Sequence, residues 1–381
     1  MRDGGRPIYL DYNATTPLLP EVVEAMLPYL REYFGNPSSG HVHGRRARDA
    51  VENARAQVAG LLGAAPGEIV FTSGGTESNN LAIRGIAGFL RHKKQIVTSQ
   101  IEHPATAEPC RLLERRGWEV TWLPVDETGR VRVRDIVAAL REGTALVTIM
   151  HANNETGAIQ PLAEAARAAH GAGTLIHTDA AQSAGKIPVR VDDLGVDLLS
   201  IAGHKLNAPK GVGALYVRGS TPLEPLLRGA GHEGGLRPGT ENVASIVGLG
   251  VACEVTRANL AEEAARVQRL RDLLWDGLVA AIPGLVLNGP VRDRLPNTLN
   301  VRFPRARGTA ILALAPDVAA STGSACHQGD ERPSTAITAM GIEPGAALGS
   351  VRLSLGRGTA EEDVRAAVRV LSIAWRRAVA A

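Results

Sequence analysis

At 381 residues the chain exceeds the usual size of one hydrophobic core, which implies two domains. Its 44% hydrophobic and 21% charged residues are ordinary for a soluble globular protein, and with a net charge of +3 and arginines interleaved with Asp and Glu it offers no basic stripe for nucleic acid. No uninterrupted apolar run reaches the roughly 18 residues of a membrane span, and three scattered cysteines (Cys110, Cys253, Cys326) suit neither a disulfide framework nor a metal site. MRDGGRPIYLDY has no signal-peptide core, so the expected setting is cytoplasmic, with free thiols and no membrane partner.

Residues 6–10 read as a short extended piece leading into LDYNATTP. A helix is expected over 20–34, a turn-rich loop at GNPSSGH, and a second helix over 44–62. Strands and helices then alternate. Strands are expected at 68–72, 95–99, 119–123, 145–150, 174–178, 196–201 and 213–217, and helices at 76–90, 104–116, 133–141 and 162–172. The alternation predicts an α/β fold, a mostly parallel sheet covered by helices, with chemistry at the carboxyl ends of its strands. A long helix at 244–281 leads to a smaller α+β domain with strands at 298–303, 318–321 and 350–354 and helices at 309–314, 334–340 and 360–378. The expected division is 16–255 for the large domain, and 1–15 with 256–381 for the small one.

The stretch VDLLSIAGHKLNAPKG (196–211) stands out. Its apolar strand ends in Ala202-Gly203 and delivers His204 and Lys205 into a Pro/Gly turn. A lysine approached this way is set to have its pKa lowered by desolvation and to act as an amine nucleophile. Of only five lysines (Lys93, Lys94, Lys186, Lys205, Lys210) among 42 basic residues, Lys205 has the most apolar approach. A Schiff base with pyridoxal phosphate is the working expectation; an exposed surface charge is the competing one.

Other strand ends carry polar clusters. In TSGGTESNN, Gly74-Gly75 frees the backbone and Thr76 opens a helix, which suits a phosphate; the Thr76 hydroxyl as a simple N-cap is the alternative. EHPA places His103 at a helix start, where it can stack on a flat ring and relay protons, or only cap the turn. HANNETG puts Asn153 and Asn154 at a turn, where asparagine is usually structural. Asp179, in HTDAAQ, ends a buried strand and needs a cation or hydrogen bonds. A protonated pyridine nitrogen is such a cation and keeps the ring an electron sink; an ion pair with Lys205 is the simpler alternative. In the second domain, STGSACHQGD sets Cys326 beside His327 in a Gly-containing loop, as for a reactive thiol. Cys110 and Cys253 fall within helices as packing residues. Arg352, inside the apolar strand of SVRLSLGR, wants a carboxylate, either a ligand's or an internal one.

With these motifs in order from LDYNATTP to SVRLSLGR, and GLRPGTEN between them, the chain resembles the cysteine desulfurases, in the class V aminotransferase group of fold-type I pyridoxal phosphate enzymes. The resemblance implies that Lys205 holds the cofactor, Asp179 pairs with its pyridine nitrogen, His103 stacks on its ring and Gln182 bonds its phenolic oxygen. Asn154 then lies near ring and substrate, and Gly75, Thr76 and His204 hold the phosphate. Thr240 reaches the phosphate of a neighbouring subunit, which implies a homodimer. Arg352 clamps the carboxylate of L-cysteine, Lys205 removes the α-proton, and Cys326 attacks the substrate sulfur. The products are L-alanine and a persulfide on Cys326, destined for a sulfur-acceptor protein such as an iron–sulfur scaffold or another sulfur carrier.

Four departures stand against the family pattern. Ala202 replaces a serine or threonine at the phosphate, Gly234 an arginine, and Asn207-Ala208 the more usual aromatic or glycine. The chain also stops at Ala381, without the C-terminal tail that housekeeping members use to dock an acceptor. A selenocysteine lyase, another enzyme of the group, and a non-catalytic protein that keeps the fold to bind a partner are the rival readings.

Overall fold

The computed structural model describes residues 7–323, 326–327 and 330–380, with backbone alone for Cys326, His327, Asp330 and Glu331. Strand β1 (Ile8–Tyr9) enters LDYNATTP. Helix α1 (Pro20–Arg31) begins on a proline, whose missing N–H is unneeded there, and ends three residues before the expected 34. Helix α2 (Val42–Leu62) is capped by His41 and closes on Gly63 in the left-handed conformation, φ 67°.

The large sheet comprises β2 (Ile69–Thr72), β3 (Gln95–Ser99), β4 (Glu119–Leu123), β5 (Thr144–Thr148), β6 (Leu175–Asp179), β7 (Leu198–Ala202) and β8 (Gly213–Val217). Their order is β2-β8-β7-β6-β5-β3-β4. Between them run α3 (Gly75–Phe89), α4 (Pro104–Glu114), α5 (Val133–Ala139), α6 (Leu162–Gly171) and α7 (Val191–Leu194), the last too short to show a helical period in sequence. The sheet is mostly parallel, as expected, but β8 runs antiparallel to both β2 and β7. Alternation alone did not reveal this. The link from Ala202 to Gly213 is shorter than the dozen or more residues that a parallel crossover requires.

Helices on both faces bury β2, β3, β5, β7 and β8 completely, whereas the edge strand β4 keeps Glu119 exposed and only Leu123 fully buried. Period two still sorts the side chains. Val97 and Leu199 join the core under α1, α2 and α6, whereas their neighbours Ile96 and Leu198 join the opposite one with Leu81 and Ile86 of α3.

Helix α8 (Val243–Ala281) is 39 residues long, about 58 Å at 1.5 Å per residue. By length and composition it contains a window apolar enough to cross a membrane. Here it packs against α1 and α2 at one end and, at the other, against the C-terminal helix α12 (Glu361–Ala380). Ile246, Leu249 and Cys253 sit in the first core, and Val267, Leu274 and Leu278 in a separate core with Leu10, Leu299, Leu353 and Leu371.

That second core is built from β10 (Thr298–Arg302), α9 (Gly308–Ala313), β11 (Val318–Ala319), β14 (Ser350–Ser354) and α12, with β9 (Val286–Leu287) packed on it. The same part of the chain carries β12 (Cys326–His327), β13 (Asp330–Glu331), α10 (Thr335–Ala339) and α11 (Pro344–Ala347), and Ala336, Ile337 and Ala347 of the two helices sit in smaller clusters of their own. Strands β14-β10-β9 form an antiparallel sheet, β1 pairs in parallel with β11, and β12 pairs with β13. The pairing of β1 returns the N-terminus to the second body, so the segment after it, Asp11 to Thr16, runs along the junction.

Candidate active site

Five carboxyl ends of the large sheet open onto one cavity of about 380 Å³. Gly75, Thr76, His103, Asn154, Asp179, Gln182, His204, Lys205 and Arg352 all line it, joined by Asn13, Ala14, Met150 and Ala202. Thr240 does not; it is exposed, in a loop tied to the start of α3 by an Arg237–Glu77 ion pair of 3.0 Å. The Cys326 side chain lies outside the described residues. Gly323, just before it, adopts φ 71° and lies so close to the Glu155 carboxylate that a Cβ there would overlap it.

Lys205 ends the short 3-10 turn Gly203–Lys205 that follows β7. Its Nζ donates to the carbonyl oxygens of Asn13 and, at 2.7 Å, Ala14. Burial pushes the amine down to about 8; the Arg352 charge adds to this, and Asp11 and Asp179 oppose it. The next residues, Asn207-Ala208, explain one departure. Asn207 sits at φ 60°, tolerable for asparagine, and binds the N-terminal segment through Thr16 Oγ1 (2.8 Å) and Pro17 O (2.8 Å).

Asp179 ends β6, next to β7, so the aspartate and lysine come from neighbouring strands. The two do not form an ion pair. Asp179 Oδ2 accepts from Asn79 Nδ2 (2.7 Å) and Oδ1 from the Ala181 amide (2.9 Å), which holds the carboxylate in a fixed orientation inside the cavity. His103 caps α4, with Nδ1 accepting from Ala105 N (3.1 Å). Burial holds the ring below its ordinary value; Asp179 opposes and Lys205 adds. The ring is therefore neutral near pH 7, with its proton on Nε2. Capping and lining the cavity prove compatible. Behind it, Glu102 accepts from Ser99 Oγ (2.6 Å) and Met150 N (3.0 Å), and burial pushes its carboxyl up to about 8.

At the other end, Gly74 (φ 147°) turns the chain into α3 without a side-chain cap, so the first N–H groups of the helix face the cavity region uncapped and the Thr76 hydroxyl is not an N-cap. Ala202 brings no hydroxyl here. It packs closely instead: a Cβ on Gly75 would lie 3.3 Å from the Ala202 Cβ. His204 Nδ1 meets Thr15 Oγ1 at 3.2 Å, and burial lowers its ring to about 4.

Of the two turn asparagines, Asn153 is structural, accepting from Glu155 N (3.0 Å) and Thr156 N (2.9 Å), whereas Asn154 faces the cavity. Arg352 reaches the cavity from β14. Its Nη2 lies 2.7 Å from Asp11 Oδ1 and its Nη1 donates to Asn154 O (3.1 Å), so the internal carboxylate anticipated as an alternative is present.

Sequence reasoning missed Asn13, Asn79, Glu102 and Lys186. Asn13 is a junction. Its Oδ1 accepts from Lys186 Nζ (3.0 Å) and Asn297 Nδ2 (2.9 Å), and its Nδ2 donates to Thr298 Oγ1 (2.9 Å) and Asn154 O (3.1 Å). Asn13, Asn79 and Glu102 lie within motifs quoted above, and that was their signal. Cys110 and Cys253 are free and buried, their thiols pushed up to about 12 by burial, as packing residues should be.

The donor set fits pyridoxal phosphate. A helix start with Thr76 suits its phosphate, a clamped carboxylate its ring nitrogen, an imidazole its ring face, and an amine with a lowered pKa its aldehyde.

The model of the Aminotransferase class-V family matches residues 8–367. A cysteine desulfurase IscS of Dictyoglomus turgidum is 48% identical over 96% of this chain and 94% of its own length. A solved NifS-like protein superposes with a TM-score of 0.91 at 38% identity, covering 96% of this chain and 98% of that one. SspA in complex with cysteine superposes with a TM-score of 0.82 at 38% identity, over 91% and 98% of the two chains. The chain belongs to the aminotransferase class-V family, among its cysteine desulfurases.

Proposed function

We propose that this pyridoxal phosphate-dependent cysteine desulfurase takes sulfur from L-cysteine onto Cys326, with Lys205 as its acid–base group. The observation that carries the reading is the Lys205 amine, pushed down to about 8 by burial, in one cavity with Asp179, His103 and Arg352. Bound pyridoxal phosphate supplies an electron sink that lowers the barrier to removing the substrate's α-proton. Lys205 holds the cofactor at rest, Asp179 keeps its ring nitrogen protonated, His103 covers the ring, Gln182 bonds its phenolic oxygen, and Gly75, Thr76 and His204 hold the phosphate.

Arg352 binds the carboxylate of L-cysteine and Asn154 borders it, so the α-hydrogen and the sulfur take fixed directions. Lys205 Nζ takes the α-proton. The Cys326 thiolate attacks the substrate sulfur: an S–S bond forms as the Cβ–S bond breaks, the electron pair stays with carbon, a proton delivered there makes the methyl group, and Lys205 returns a proton to the α-carbon to complete L-alanine. His103, protonated on Nε2, relays the proton at the sulfur. Cys326 is left as a persulfide, whose terminal sulfur passes to a thiol of an acceptor protein.

The reading extends to a homodimer in which Thr240 of one subunit reaches the phosphate of the other. Its exposure, and the exposed Leu30, Phe34 and Val42, are in keeping with that contact. It also treats 16–255, and 1–15 with 256–381, as two bodies meeting at the cavity; the separate cores around Leu249 and Leu353 support this. The SspA structure, with cysteine bound, supports the substrate. The test is alanine formation from L-cysteine by the loaded enzyme. Turnover should be lost in Lys205→Ala together with the visible absorbance of the lysine-linked cofactor, and unchanged turnover in that variant would overturn the reading.

A further inference from the structure

Lys186 has no part in the mechanism above. It lies four residues beyond Gln182, largely buried, and its Nζ donates to Gln182 Oε1 (2.8 Å) and Asn13 Oδ1 (3.0 Å). The other end of the Gln182 amide, Nε2, donates to the Asn13 carbonyl (3.0 Å). The Asn13 carbonyl can only accept and so demands the NH2, which leaves the amide oxygen for the Lys186 nitrogen. The two partners therefore select one of the two amide flips. In that flip the second Nε2 hydrogen is what Gln182 can offer to the cavity it lines.

Lys186 is an expensive residue for packing alone. The charges acting on it are those of Lys205 and Arg352, both cationic, and together with burial they hold its amine well below the ordinary lysine value. A methionine would fill the space without that penalty. Its second partner also carries weight: Asn13 Oδ1 accepts at the same time from Asn297, in the body built on the second core, so the lysine is anchored across the junction.

We propose that Lys186 is a positioning residue, which holds Gln182 Oε1 so that the Gln182 amide presents an N–H donor to the anionic ring oxygen of the bound cofactor. The proposal rests on the reading of this cavity as the pyridoxal phosphate site. A donor at that oxygen favours its anionic form, so losing the donor raises the pH at which the cofactor's visible absorbance changes.

The experiment titrates that absorbance in loaded enzyme, with cofactor stoichiometry and thermal unfolding measured alongside. Gln182→Ala and Lys186→Met should each raise the midpoint by about one pH unit, on the scale of one hydrogen bond to a charged group. The double variant should shift no further than Gln182→Ala alone, because Lys186 acts through Gln182. Lys186→Gln, which keeps an N–H for Gln182 Oε1, should stay near the wild-type midpoint. Lys186→Ala serves as the second truncation if the methionine variant does not fold. A wild-type midpoint in the folded truncation, or additive shifts in the double variant, would overturn the proposal. A wild-type chain that gains no visible band with pyridoxal phosphate would instead overturn the reading of the cavity.

Discussion

Arg352 Nη2 lies 2.7 Å from Asp11 Oδ1, so the guanidinium lining the cavity already holds a carboxylate from the N-terminal segment. A guanidinium carries five N–H donors. Asp11 and Asn154 O engage Nη2 and Nη1, and among the described residues the buried Nε has no partner. Asp11 thus orients Arg352 while leaving donors for a substrate carboxylate. The internal partner and the substrate role are compatible.

Replacing that arginine should separate binding from cofactor loading. Arg352→Gln is expected to raise the KM for L-cysteine and lower kcat/KM on the order of 100-fold, about 3 kcal/mol for a lost charge-assisted pair. The visible band of the bound cofactor should persist. Steady-state kinetics with L-cysteine, alongside absorbance spectra, provide the check; an unchanged KM would remove Arg352 from substrate binding.

Cofactor loading should follow the neutral Lys205 amine. When the cofactor-free chain is mixed with pyridoxal phosphate, the loading rate should rise with pH around a midpoint of about 8 instead of the ordinary 10.5. Asp11 raises the amine's pKa and Arg352 lowers it, so Asp11→Asn should move the midpoint down and Arg352→Gln should move it up. The unfolded chain binds the extra proton across that interval, so this group makes stability of the cofactor-free chain rise with pH between about 8 and 10.5. Stopped-flow absorbance across pH reads the midpoint directly, and a value near 10.5 would show that the amine is not desolvated.

Restoring a hydroxyl next to the phosphate should tighten the cofactor's grip. Ala202→Ser is expected to lower the Kd for pyridoxal phosphate roughly tenfold, the effect of about 1.5 kcal/mol from one hydrogen bond to a charged group. The Ala202 side chain faces Gly75 at the start of α3, where the added oxygen would lie. Reconstitution titrations of the two cofactor-free proteins compare them; equal affinities would mean that α3 and Thr76 saturate the phosphate without help.

The strand ends were legible because each motif follows a buried apolar run, so His103, Asp179 and Lys205 could be placed on one sheet edge from sequence alone. The bonds that orient them were not. Asn79 reaches Asp179 across 100 positions and Asn13 reaches Asn297 across 284, and no local pattern records such pairings. Glu102 looked like an ordinary charge before a histidine; its buried environment exists only once β3 and β5 pair. Lys186 offered a faint signal, as one of five lysines in an arginine-rich chain. The direction of β8 depended on the length of a single link, which alternation does not report.

The central claim is that sulfur passes through Cys326. Its most direct test is mass spectrometry of the loaded enzyme after reaction with L-cysteine in the absence of reductant, with L-alanine quantified in the same sample. The account predicts one added sulfur atom on the peptide containing Cys326 for each L-alanine formed in the first turnover. It also predicts neither product in Cys326→Ala, whose visible cofactor band stays intact. Wild-type alanine formation by Cys326→Ala would contradict it.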